Sequence, residues 1–143
     1  MYIRPATTTD IDSITRLREV MRGAAVDHDA VDEACRTIIA NTTQDVLLVI
    51  DNEQVSGQAV ISLVQKLPKK EVRIDEFVID DSQRGKGYGT ELLLACEQWA
   101  RDHMADKIEL TSRPSRVVAH HLYEKLGYKI RNTDVFTKER GEF

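Results

Sequence analysis

Three glycines stand at every second position, Gly85, Gly87 and Gly89, directly behind the apolar run EVRIDEFVID and directly ahead of a stretch with helical periodicity. A strand that runs into bare backbone and then into a helix start restricts what this chain can become more than any other feature in it. Backbone N–H groups converge at such a junction, the helix dipole adds partial positive charge, and no side chain blocks a close approach. Arg84 and Lys86 bring two cations to the rim. The segment reads as a cradle for phosphate. Two familiar phosphate loops are excluded by spacing. A Walker loop needs a hydroxyl residue directly after its lysine, and Lys86 is followed by Gly87. The dinucleotide fingerprint needs its third glycine one residue later, and it needs parallel strands ahead of it.

The runs DVLLVI, VSGQAVISLV and EVRIDEFVID are rich in β-branched residues and joined by the short connections DNEQ and QKLPKK, a pattern that predicts an antiparallel meander. Before them, a short strand is expected at residues 2–4. The threonines of TTTDID then offer an N-cap to a first helix carrying Ile11, Ile14, Leu17 and Met21, and a second helix is expected over residues 29–40. After the glycines, Leu92, Leu93, Cys96, Trp99 and Ala100 share one face of a third helix, with Trp99 in the core. KIELTS, arriving after a helix, is expected to lie parallel to the strand before that helix. Ala119, Leu122, Tyr123 and Leu126 mark a fourth helix, capped by Ser112 or Ser115 and stopped at Gly127, and YKIRN with DVFTK predict a closing hairpin. Tyr123, read from periodicity alone, is an ordinary core tyrosine.

Composition narrows the function. At 143 residues with 41% hydrophobic and 31% charged residues, the chain suits one globular domain spanning 1–143, with no repeat, linker or run of about 18 apolar residues. MYIRPATTTD lacks a cationic segment followed by an apolar one, so a cytoplasmic location without membrane partners is the expectation. With 20 Lys+Arg against 24 Asp+Glu, the net charge of −4 argues against a nucleic-acid partner. Cys35 and Cys96 fall in apolar-periodic segments and read as small core residues. His28, His103, His120 and His121 show no metal-ligand spacing, so no metal is expected.

Arg84-Gly85-Lys86-Gly87-Tyr88-Gly89 resembles the [QR]-x-x-G-x-[GA] signature with which the GNAT acetyltransferase superfamily binds the pyrophosphate of acetyl-CoA. IRPATTTDI resembles the usual opening of that family, FVIDDSQRGKGYGT its fourth-strand to third-helix segment, and AHHLYEKLGYKI its fourth-helix signature. These stretches cover nearly the whole chain in family order. The resemblance implies an α/β (α+β) fold: a single mixed, mostly antiparallel sheet with a splayed parallel pair, flanked by about four helices in the order β-α-α-β-β-β-α-β-α-β-β. It also implies an acyl-CoA-dependent N-acetyltransferase that moves the acetyl group of acetyl-CoA to a primary amine in a ternary complex. An acetyl-CoA-binding sensor or regulatory module without transferase activity is the alternative, and a homodimer is compatible with either.

Site residues follow from the same resemblance. Arg84, Gly85, Lys86, Gly87, Tyr88, Gly89 and Thr90 would hold the diphosphate. Phe77, Val78 and Ile79, otherwise plain core residues, would pair their backbone with the pantetheine arm, and Tyr123 would protonate the departing thiolate. Arg116 stands where many relatives carry asparagine and would touch phosphate or substrate. An alkylamine is almost fully protonated at neutral pH, so a base is needed, and Asp75 and Glu76 are the candidates. Period-two counting places Asp75 on the face of Phe77 and Ile79, and the family pattern also favours it, whereas Glu76 is longer and reaches further. Asp27, Asp29, Asp75, Glu76 and Asp134 lie where the family frames its acceptor, which favours a small cationic amine, with peptide or protein amines as a further option.

Overall fold

A computed structural model describes residues 1–143, and the chain separates into two compact units, Met1–Thr111 and Ser112–Phe143. The first unit carries strands β1 (Tyr2–Pro5), β2 (Gln44–Asp51), β3 (Gln54–Gln65), β4 (Lys70–Ile79) and β5 (Lys107–Leu110), with helices α1 (Ile11–Arg22), α2 (His28–Ile39) and α3 (Tyr88–Asp102). The strands lie side by side in chain order, antiparallel except for the parallel β4/β5 pair that α3 connects. The expected meander, crossover and parallel pair are all present. No helix is long and apolar enough to cross a membrane.

Strand alternation divides the apolar residues between the two faces of the sheet. Val46, Leu48, Ile50 and Val78 pack with Ile11, Ile14, Leu17 and Cys35 under α1 and α2. On the other face α3 lies against β2, β3 and β4 and buries Leu92, Leu93, Cys96, Trp99 and Ala100. Trp99 is core, as its periodicity predicts, and its Nε1–H donates to Asp45 Oδ2 at 2.7 Å. Burial pushes the Cys96 thiol up to about 12, as befits an inert core residue. At Gly57 on β3 the packing leaves no room for a side chain: a methyl there would come within 2.5 Å of Ile79 Cδ1 and 3.1 Å of the Val78 carbonyl oxygen.

The entry to α1 is set by charge. A single 3₁₀ turn, Thr8–Asp10, precedes the helix, and Thr7 N–H and Oγ1–H both donate to Asp10 Oδ2, at 2.8 and 3.1 Å. Arg4 closes on the same carboxylate with Nη1 and Nη2 at 2.8 and 2.9 Å. The Arg4 bonds, with the Thr7 bonds behind them, lower the Asp10 carboxyl from 3.8 to about 2. A depressed carboxyl pKa stabilises the fold above the unfolded value and ceases to do so as pH falls through the folded one. Asp10→Asn is therefore expected to remove about 2 kcal/mol near pH 7 and to flatten the stability profile between about pH 4 and 2, as checked by denaturant titration.

The second unit holds α4 (Val117–Lys125). Its N-cap is Arg116 with no side-chain cap bond, so neither Ser112 nor Ser115 caps it; the cap position itself has φ −84° and ψ 64°, and Arg116 O accepts from His120 N–H at 3.1 Å. Gly127 ends the helix as expected, at φ +88°, with its own N–H on Glu124 O and Tyr128 N–H on Tyr123 O. The closing hairpin does not form. No strand follows Gly127, and Ile130, Val135 and Phe136 are 80%, 74% and 92% exposed. Beyond the half-buried Tyr128 the two runs are exposed, so nothing fixes their register, and a lone hairpin is marginal in water.

Candidate active site

The glycine segment begins where β4 ends. Arg16 on α1 ties the start down, pairing its Nη1 with Asp80 and donating Nη2–H to Val55 O at 3.0 Å, and this pairing lowers the Asp80 carboxyl. Asp80 Oδ1 in turn accepts from Ser82 N–H at 3.0 Å. Gly85 and Gly87 then take φ +81° and +84°, and Gly87 is the N-cap of α3. Only a residue without Cβ adopts such angles readily. Arg84 N–H donates to Asp81 O and Glu91 N–H to Gly87 O, but no amide from Gly85 to Thr90 donates to a protein carbonyl. No protein atom lies within 4 Å of where a Cβ would stand at Gly85 or Gly87. An anion would find a row of donors at a helix start with open space before them.

The flanking cations are engaged at the surface. Arg84 pairs with Asp81 at 2.6 Å, and Lys86 Nζ donates to Gln83 Oε1 at 2.6 Å while lying 5.7 Å from the centre of the Tyr88 ring. Both are exposed pairs of the kind that exchange partners at little cost. Tyr88 is held by a hydrogen bond to Asp51, which raises its hydroxyl pKa.

Upstream of the loop, β4 is irregular. Gln58 pairs with Val78 but Val60 pairs with Asp75, so Glu76 and Phe77 together oppose Ala59. Glu76 takes φ +52°. This is a β-bulge whose first residue is left-handed, a position usually filled by glycine. The extra residue undoes period-two counting: Asp75 shares a face with Val78, not with Phe77. Asp75 is exposed, whereas Glu76 is partly buried and forms an ion pair with Arg18 Nη1 through Oε1. Its Oε2 is buried without a hydrogen-bond partner.

Glu76 also lines a cavity of about 560 Å³ between the sheet and helices α1 and α2. Sequence reasoning missed several of its residues. Arg18 and Arg22 of α1 and Gln58 of β3 were not singled out, yet all three line the cavity, together with Cys35 of α2. Burial raises the Cys35 thiol pKa. Of the acids expected near the acceptor, Asp27 and Glu76 line it.

Next to the bulge, the sheet opens. β4 and β5 pair from Glu71↔Lys107 to Ile74↔Leu110 and no further, although β4 continues to Ile79. The paired end is fastened by Lys107 Nζ, 3.0 Å from both Glu71 and Glu109, and by Lys70 N–H on Asp106 Oδ2 at 2.8 Å. Phe77, Val78 and Ile79 thus lie on a stretch of β4 that has left its parallel neighbour. In the second unit, Tyr123 is buried with its ring 6.2 Å from that of Tyr128, and Arg116 caps α4.

An open mixed sheet, a bulged strand and an anion-receptive loop at a helix start make an α/β fold with a site suited to a phosphate-bearing cosubstrate. The sequence pattern of the acetyltransferase (GNAT) family matches residues 11–128. The chain belongs to that family and is an N-acetyltransferase. It is 29% identical over 131 residues to an aminoalkylphosphonate N-acetyltransferase of Salmonella typhimurium, covering 89% of this chain and 84% of that one. Its fold matches a putative acetyltransferase from Agrobacterium tumefaciens with a TM-score of 0.88 at 17% identity, covering 97% and 100% of the two chains. An aminoglycoside N-acetyltransferase in complex with CoA matches with a TM-score of 0.87 at 16% identity, covering 97% and 94%.

Proposed function

We propose that this enzyme moves the acetyl group of acetyl-CoA to a small primary amine by direct attack in a ternary complex, with residues 1–143 acting as one transferase domain. The observation that carries the reading lies on β4: within one strand and its following turn, the carboxylate residue Glu76 lines a cavity and bare amides collect at a helix start. The amides of residues 85–90 hold the diphosphate, and the backbone of Phe77, Val78 and Ile79 lines up the pantetheine arm in the manner of an added strand. When bound, acetyl-CoA supplies an activated carbonyl carbon and a thiolate leaving group.

Glu76 takes the ammonium proton of the acceptor, directly or through water, so that the nitrogen lone pair can attack that carbonyl carbon. The C–S bond breaks as the C–N bond forms; Tyr123, placed by the resemblance of LYEKLGY, gives its hydroxyl proton to the sulfur and is reprotonated through water by the second proton that the acylated nitrogen releases. Glu76 is favoured over Asp75 because it lines the cavity while Asp75 faces solvent. The names of the two relatives denote small-molecule amine acceptors, which favours a small amine over a peptide. Arg116 is assigned to the cosubstrate phosphates by its place in the family pattern.

The test is a thiol-release screen with acetyl-CoA across small amines and amino-terminal peptides. Release with a small amine is expected; binding of acetyl-CoA with no release across the panel would leave a sensor module instead. Tyr123→Phe is expected to lower kcat by about tenfold or more while moving the KM for acetyl-CoA little, and full turnover in that variant would return Tyr123 to a packing role.

A further inference from the structure

Asp80 stands between the sheet and the glycine loop, and each of its polar groups is committed to the protein. Its N–H donates to Ser56 O on β3 at 2.9 Å, and its carbonyl oxygen accepts from Gln83 N–H at 2.9 Å. Oδ1 accepts from Ser82 N–H and Ser82 Oγ–H, at 3.0 and 2.8 Å, and Oδ2 pairs with Arg16 Nη1. The bond from Arg16, ahead of those from Ser82, holds this carboxyl below its ordinary value, so the pair is a charged one.

Arg16 reaches Asp80 from a distant part of the chain. It lies on α1, and its second nitrogen donates to Val55 O on β3 at 3.0 Å. One planar guanidinium therefore fixes helix α1, strand β3 and the residue that follows β4 against one another. A half-exposed ion pair adds little to the stability of a fold. What this pair sets is direction. Beyond Gln83 the chain enters Gly85 and Gly87, at φ +81° and +84°, and the amides from Gly85 to Thr90 donate to no protein carbonyl. Glycine backbone is permissive, so such a segment keeps one orientation only when both of its ends are held. Helix α3 holds the far end, and Arg16 acting through Asp80 holds the near one.

We propose that Arg16 is a positioning residue for the acyl donor: through Asp80 it fixes the exit of β4 so that the amides of residues 85–90 meet the diphosphate in one orientation. This rests on the transferase reading, in which those amides hold that diphosphate. No contact between Arg16 and the donor is required.

Calorimetric titration of the full chain with acetyl-CoA carries the test. Arg16→Met is expected to bind at least about tenfold more weakly, while its melting temperature without ligand moves little. Asp80→Ala is expected to weaken binding as well, and adding Arg16→Met to it should change the affinity by less than about twofold, because the two residues act as one unit. Thiol release supplies a readout that a merely structural role would not move, since S-acetylpantetheine carries the same thioester without the diphosphate. In Arg16→Met the ratio of kcat/KM for acetyl-CoA to that for S-acetylpantetheine should fall by about tenfold. Unchanged acetyl-CoA affinity in Arg16→Met, an equal loss with both donors, or a full further loss in the double variant overturns the inference and leaves the transferase reading intact. A wild-type chain that binds no acetyl-CoA would overturn both.

Discussion

Glu76→Gln is expected to lower kcat for amine acetylation by about 10²- to 10⁴-fold, the usual contribution of a positioned general base. The amide is nearly isosteric with the carboxylate and still offers an oxygen to Arg18, so the bulge and the cavity wall should survive. What it loses is the ability to accept a proton at neutral pH. Acetyl-CoA contacts lie elsewhere, and KM for acetyl-CoA should stay within about threefold. Asp75→Asn, one residue away and exposed, is the matched control and should retain activity within about threefold. A larger loss in Asp75→Asn than in Glu76→Gln would move the base to Asp75.

Gly87→Val is expected to weaken acetyl-CoA binding by about tenfold or more, measured by calorimetric titration, and to lower the melting temperature as well. Two effects act together. At φ +84° a β-branched residue is strained by an amount on the order of 1–3 kcal/mol, and the loop can relieve that strain only by turning its amides. The valine side chain would also occupy the open space in front of those amides. Gly87→Ala separates the two contributions, since it keeps most of the backbone strain with far less bulk. Unchanged affinity in both variants would show that the cosubstrate is held by another part of the chain.

Much of this site can be read from residue order because its parts are local. A glycine run between a strand and a helix reports its own geometry, and Gly85 and Gly87 take the left-handed angles that their placement implies. The bulge at Glu76 cannot be read in this way. Its existence depends on Val60 pairing with Asp75 while Gln58 pairs with Val78, a register between two strands, and the residue that adopts φ +52° is a glutamate with no sequence signal for it. The cavity is hidden for a related reason. Arg18 and Arg22 look like solvated helix charges until α2 lays Ala30 and Ala34 opposite them. Gln58 was visible in principle, as the one amide inside VSGQAVISLV, where a polar residue among β-branched neighbours asks for a partner. The closing hairpin failed in the opposite direction: residues 128–137 alternate like strands, but past Tyr128 all of them are exposed.

Gly57 gives the fold a mechanical linkage. Because Ile79 Cδ1 fills the volume over this glycine and the Val78 carbonyl sits just beside it, the last residues of β4 rest directly on the backbone of β3. The loop proposed for the diphosphate departs from that resting point, and Glu76, proposed as the base, sits in the bulge a few residues earlier, so one bearing surface lies under both. A single added methyl at Gly57, touching neither reactant, would push on both at once.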